Sequence, residues 1–221
     1  MNKHFRTDQE VFWAEEFGNE YINRNDGNEA IASNLALFAR ALRSTHSIHN
    51  CIEFGANIGL NLIALKHLFP NIEQHAIEIN SQAAEKLSQV IPPTHIFNTS
   101  ILEFQPTRTW DLVLIKGVLI HINPDWLPQI YDTLYQATKN YLLLCEYYNP
   151  SPVQINYRGH NERLFKRDFC GEMLDRYSDL KLVDYGFAYR RDPNFRQDDA
   201  TWFLMEKCRG WAELVKPISR A

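Results

Sequence analysis

The chain has 221 residues, enough for one domain with a sizeable core. With 45% hydrophobic residues and a formal charge of −4, it reads as an ordinary globular protein and not as a general nucleic-acid binder. No apolar run is long enough to cross a bilayer, and Met1 to Arg6 lack the apolar stretch of a secretory leader. The four cysteines (Cys51, Cys145, Cys170 and Cys208) form no C-x-x-C pair. Free thiols in a reducing cytoplasm are therefore expected, and a metal site is not.

Residues 7–26 read as a helix. Thr7 and Glu10 stand at capping-box spacing, and Phe12, Trp13, Phe17 and Tyr21 share one helical face. Residues 25–28 read as a turn, and 29–42 as a second helix with Ile31, Leu35, Phe38 and Leu42 on one side. From there strands and helices alternate. Residues 48–54 form the first strand, 61–68 a helix stopped near Pro70, and 75–79 the second strand. A helix over 81–90 takes Ser81 as its cap, and 94–98 is the third strand. The almost wholly apolar 110–115 is the fourth, as befits a buried parallel strand. Then come a helix over 124–138, a fifth strand over 141–146, and a helix over 165–177. Strands over 181–189 and 201–207, joined by the polar loop 190–199, close the chain.

This alternation predicts an α/β fold with a parallel sheet covered on both faces. The two final strands predict an antiparallel hairpin. The expected architecture is the class I methyltransferase (Rossmann-like) seven-stranded sheet with that hairpin. Residues 1–221 form one domain, with about 1–45 as a helical N-terminal cap or lid and about 46–221 as the core.

The stretch Glu53-Phe54-Gly55-Ala56-Asn57-Ile58-Gly59-Leu60-Asn61 carries the most chemistry. A strand ends in an acid and a glycine turn and then enters a helix. Glycine lets the backbone turn sharply and come close to a ligand, and a helix start offers unpaired N–H groups to an anionic group. Dinucleotide-binding turns carry a third glycine, G-x-G-x-x-G. The spacing here, Gly55-x-Asn57-x-Gly59 with an acid two residues ahead, predicts S-adenosylmethionine instead of a nicotinamide cofactor. Glu53 is expected near its methionine part, with Gly55, Asn57 and Gly59 letting the chain pass close. Glu78, at the end of the second strand, is placed to accept both ribose hydroxyls. Ser100 and Ile101 would flank the adenine, and Lys116 ends the fourth strand beside the methyl-donor region.

The chain also resembles the pseudaminic acid biosynthesis-associated methylases, a family of bacterial class I S-adenosylmethionine-dependent proteins. The likeness spans nearly the whole chain. It rests on Phe12-Trp13-Ala14-Glu15-Glu16-Phe17-Gly18-Asn19-Glu20-Tyr21, the turn 53–59, and Lys116-Gly117-Val118-Leu119-Ile120-His121-Ile122-Asn123-Pro124. It rests further on Glu146-Tyr147-Tyr148-Asn149-Pro150, Tyr157-Arg158-Gly159-His160 and 164–169. The resemblance implies a methyltransferase near a nonulosonic acid pathway, with a small sugar-linked acceptor.

On the acceptor side, Tyr157, Arg158 and His160 are candidates, because an arginine fork suits carboxylate or phosphate. His121 is either a general base or a histidine packed beside the cofactor. Glu146 is either a second base or a structural partner for nearby groups. Trp13 and Tyr21, with Phe17, are either plain core or a lid whose rings face the sulfonium and acceptor. Two other chemistries fit the same fold: transfer of the aminocarboxypropyl arm, or cyclisation of the cofactor with release of methylthioadenosine. A non-catalytic cofactor-binding protein is the remaining alternative. The expected partner is a small molecule, not nucleic acid or membrane, and the sequence does not specify an oligomeric state.

Overall fold

The computed structural model describes residues 5–22 and 27–208. Part of the turn expected over 25–28 therefore lies outside the described residues. Thr7 closes the expected capping box with Glu10 and starts α1, Asp8–Ala14. The single helix expected over 7–26 is two, because Glu15 leaves helical geometry (φ −111°, ψ −134°) before α2, Glu16–Ile22. The next helix, α3 (Asn28–Ala41), does not belong to the cap. Its Phe38 and Ala41 are fully buried in the core layer. Helices α1 and α2 lie over the sheet's ligand edge, and the first turns of α3 reach it as well.

Strands β1 (Asn50–Phe54), β2 (Glu73–Ile77), β3 (Ile96–Phe97), β4 (Trp110–Lys116) and β5 (Thr138–Glu146) run parallel. Helices α4 (Leu60–Leu68), α5 (Ser81–Leu87) and α6 (Leu127–Ala137) connect them. Alternate residues of each strand feed opposite cores. Val113 and Ile115 of β4 pack with Ile130 and Leu134 of α6, while Leu112 and Leu114 pack with Leu62 and Leu65 of α4. That two-sided burial is why β4 reads as a continuous apolar run. The α5 cap is Asn80, not Ser81: its side chain accepts from the Ala83 N–H.

The segment after β5 departs most from expectation. A two-stranded hairpin, β6 (Val153–Tyr157) and β7 (His160–Lys166), replaces the start of the helix expected over 165–177. Helix α7 is only Phe169–Arg176, capped by Asp168, whose side chain accepts from Gly171. The hairpin turns at Arg158 (φ +50°) and Gly159 (φ +87°), two consecutive positive-φ positions that suit a tight strand-to-strand turn. In β6 the apolar Val153 and Ile155 stay exposed, while Leu164 and Phe165 of β7 are buried, so no alternating pattern announced the first strand. Strands β8 (Leu180–Ala188) and β9 (Ala200–Lys207) form the expected antiparallel pair, giving sheet order β3-β2-β1-β4-β5-β9-β8. The order reverses between β1 and β4, the switch point where open α/β sheets bind ligands.

Candidate functional site

A cavity of about 990 Å³ opens at the carboxyl ends of β1, β2 and β4, beneath α1 and α2. Its floor is the glycine turn. Gly55 (φ +77°) sits so close to the next turn that a Cβ there would lie 2.6 Å from Val118 Cγ2. Gly59 (φ +89°) caps α4 but faces away from the cavity, where a Cβ would meet Leu87 Cδ1 at 2.7 Å. It sets α4-to-α5 packing and does not line the cavity.

Glu78 and Asn57 are joined across the strand ends: the Asn57 N–H donates to Glu78 Oε2 at 2.7 Å. The Asn80 N–H donates to Glu78 Oε1 at 2.8 Å. A backbone N–H thus reaches each carboxylate oxygen, and a carboxylate oxygen can accept more than one hydrogen bond. Ser100 Oγ accepts from the Leu102 N–H at 3.0 Å, and Ser100, Ile101 and Lys116 all line the cavity.

Glu53 lies beneath the wall. It is fully buried, and its Oε1 accepts from Asn61 Nδ2 at 2.6 Å. Burial pushes its carboxyl up to about 8, against the opposing pull of Asn61 and Lys116. Glu53 Oε2 and Asn61 Oδ1 are buried with no hydrogen-bond partner among the described residues. Two orphaned oxygens on hydrogen-bonded side chains under a glycine turn suit a donor-rich group such as an ammonium. Asn61, which reaches the cavity itself, was missed in the sequence, although its place in the first turn of α4 was a usable signal.

His121 lines the cavity on the turn after β4. Its Nδ1 stands 2.6 Å from the Arg163 carbonyl of β7. A carbonyl can only accept, so Nδ1 carries the proton and Nε2 keeps the lone pair. Burial lowers the imidazole to about 4, with the Arg163 contact working the other way, so the ring is neutral at pH 7. Glu146 does not line the cavity. Its Oε1 accepts from the Val118 and Leu119 N–H groups, both at 3.0 Å, and fixes the turn that carries His121. Burial raises it to about 7 despite those donors. Its observed place is that of a positioning group behind the turn.

Trp13 and Tyr21 line the cavity from above. Their rings meet edge to face at 5.3 Å, and Trp13 leans on His121 at 4.6 Å. Tyr157 packs behind His121 at 4.9 Å and does not reach the cavity. Arg158 is exposed at the hairpin tip, its guanidinium 5.6 Å from the Tyr157 ring centroid. His160 packs on Phe12 at 5.1 Å, on the outer side of α1. Of the expected anion-reading group, Tyr157 and His160 thus pack on α1 and α2 instead of lining the cavity, and Arg158 stays at the outward-turned hairpin tip. In its place stand residues of α3 and of the 190–199 loop, among them Asn34, Arg196, Gln197 and Asp198.

Among the described residues, Cys51, Cys145 and Cys170 are free and buried and Cys208 is free and exposed. No helix among them is long and apolar enough to cross a membrane. Glu73, His75 and His95 bring ligand-type atoms within 4.8 Å of one another. However, Arg108 occupies Glu73 Oε1 at 3.0 Å, and the two imidazoles stack 4.3 Å apart.

No protein-family model and no curated protein matches the chain. Solved structures do. The chain is similar to 1,6-didemethyltoxoflavin-N1-methyltransferase from Burkholderia thailandensis, with a TM-score of 0.67 and 14% identity over 95% of this chain and 94% of that one. It is also similar to a SAM-dependent methyltransferase from Leishmania major, with a TM-score of 0.66 and 13% identity over 89% and 81% of the two chains. A third likeness is to the N-methyltransferase NodS from Bradyrhizobium japonicum, with a TM-score of 0.60 and 15% identity over 84% and 99%. At these identities the likeness establishes the fold, the Rossmann-like class I methyltransferase architecture.

Proposed function

We propose that the chain is a class I methyltransferase that uses S-adenosylmethionine to methylate a small acceptor. The observation that carries this is the pair of orphaned buried oxygens, Glu53 Oε2 and Asn61 Oδ1, beneath a glycine turn whose next strand ends in Glu78. Glu53 and Asn61 would take the cofactor's ammonium, Glu78 its ribose hydroxyls, and Ser100 and Ile101 its adenine. Bound there, the cofactor supplies a methyl group made electrophilic by a sulfonium. The neighbours in fold, described as SAM-dependent methyltransferases and in some cases solved with S-adenosylhomocysteine, support the same cofactor.

The protein's own contribution is alignment, water exclusion and proton handling. Trp13 and Tyr21 cover the reacting region. His121 Nε2, neutral and held by the Arg163 carbonyl, accepts a proton from a hydroxyl or amine acceptor. Glu146 and the 118–119 backbone hold that imidazole in place. The resemblance to the pseudaminic acid biosynthesis-associated methylases supports a sugar-linked acceptor in nonulosonic acid chemistry. The buried free thiols are compatible with a cytoplasmic setting.

Mass spectrometry of the protein incubated with S-adenosylmethionine, with and without sugar-nucleotide and nonulosonic-acid acceptors, tests this. Acceptor-dependent S-adenosylhomocysteine and a product heavier by one methylene support it. Methylthioadenosine formed without acceptor would replace it with chemistry on the cofactor itself.

A further inference from the structure

The cavity is larger than one ligand requires: its volume of about 990 Å³ lies at the top of the range for small-molecule sites. One part of its wall belongs to the cofactor residues above. Another part is built by two elements joined through the Asn34–Gln197 contact, with Glu29, Ser33 and Asn34 from α3 and Arg196, Gln197 and Asp198 from the loop between β8 and β9. We propose that this second part is the acceptor subsite, that Arg196 binds an oxyanion of the acceptor, and that the acceptor is a hydroxylated sugar acid or sugar phosphate. The assignment rests on the methyl-transfer reading and deepens it.

The loop is fixed on both sides of Arg196. At its neck the Arg190 N–H donates to Asp199 Oδ1 at 2.9 Å, and Arg190 Nε lies 3.3 Å from Asp199 Oδ2. Asp192 Oδ1 accepts from the Asn194 and Phe195 N–H groups, both at 2.8 Å. Gln197 Nε2 donates to the buried Asn34 Oδ1 at 2.8 Å, pinning the loop to α3. Burial, and then the nearby Asp198 carboxylate, raise the Tyr147 hydroxyl just after β5. Asp192 and Asp199 are therefore engaged within the loop. Arg196 itself makes no hydrogen bond or ion pair with a described residue and lies on the cavity wall.

An arginine held between pinned neighbours has already lost part of its freedom, so less ordering cost opposes anion binding. Its planar fork matches carboxylate and phosphate oxygens. Glu29, Ser33 and the Asn34–Gln197 bridge supply partners for hydroxyls, which an apolar acceptor would leave unsatisfied.

The test is calorimetric titration of the protein saturated with S-adenosylhomocysteine. The probes are N-acetylneuraminic acid (a carboxylate), glucose 1-phosphate, and neutral N-acetylmannosamine. Saturable binding of one or both anions, well above that of the neutral sugar, is expected, and which anion binds separates carboxylate from phosphate. Arg196→Ala should weaken it about ten-fold or more, and Arg196→Lys should retain part of it. Arg191→Ala, on the same loop but off the cavity wall, should bind as wild type. No saturable anion binding, equal binding of the neutral sugar, or equal losses in Arg196→Ala and Arg191→Ala would overturn the assignment. Failure of S-adenosylhomocysteine to saturate the protein in the first place would instead overturn the methyl-transfer reading beneath it.

Discussion

Asn80 ties Glu78 to the junction of α1 and α2. Its backbone N–H donates to Glu78 Oε1, while its side-chain Nδ2 donates to the Ala14 carbonyl at 3.2 Å and to Asn19 Oδ1 at 2.8 Å. One residue thus reads the acid proposed for the ribose and the break between α1 and α2. It also caps α5 through Oδ1. Asn80→Asp keeps the cap and removes the donor, setting a carboxylate against acceptors only. The expected outcome is faster proteolysis near Glu15 and S-adenosylhomocysteine affinity weakened about ten-fold, with thermal stability changed by only a few degrees. Limited proteolysis and calorimetry check it; an unchanged lid would show that the Asn80 amide does not hold it.

Gly18 offers a second handle on the packing of α1 against α2. A Cβ there would collide with the Trp13 carbonyl and stand 2.9 Å from Asn80 Nδ2. Backbone cannot yield as a flexible side-chain tip can, so Gly18→Ala should unseat α1 from α2. Tryptophan fluorescence should report a more solvated Trp13, while the sheet keeps its unfolding transition.

Burial raises Glu53 to about 8 and Glu146 to about 7. For an acid whose folded pKa is raised, the native state binds more protons than the unfolded one, so the contribution is full below the ordinary value and is lost as pH rises through the folded one. The ligand-free protein should therefore unfold at a lower temperature at pH 9 than at pH 6, and Glu53→Gln should flatten that slope. An ammonium at Glu53 favours the carboxylate, so binding S-adenosylhomocysteine at pH 7 should release about one proton. Calorimetry in buffers of different ionisation enthalpy measures this directly.

His121 carries the opposite sign. Burial lowers it to about 4, so its contribution to stability is present above the ordinary value of 6.5 and is lost as pH falls through about 4. As the base, it should hold kcat/KM level from pH 7 down to about 5 on its own account. His121→Gln should lower kcat by about 10²- to 10⁴-fold and leave S-adenosylhomocysteine binding intact. An acid limb near 6.5 would point to a different base.

Glu146 separates holding from chemistry. Glu146→Ala strands the Val118 and Leu119 N–H groups and should cost about 2–4 kcal/mol of stability. Glu146→Gln keeps an acceptor for them, so its stability and turnover should stay close to wild type, as denaturant titration and steady-state rates would show.

Much of this protein is written locally. The capping box at Thr7, the alternation of apolar runs, and the acid and glycines of the 53–59 turn act through near neighbours, and their placement follows from backbone preference and burial alone. The sheet and the cofactor edge were legible for that reason. The hairpin over 153–166 was not, because Val153 and Ile155 of its first strand are exposed and its strands pair only with each other. Nor was the helix break at Glu15, which is flanked by contacts to an amide sixty-odd residues away in sequence, that of Asn80. Which arginine faces the cavity was likewise settled only in three dimensions. Arg158 and Arg196 both stand in polar loops, but one hairpin turns its tip outward while the other loop is drawn onto α3 by Asn34. Sequence spacing fixes what a residue can do; the long-range contacts of the folded chain decide where it does it.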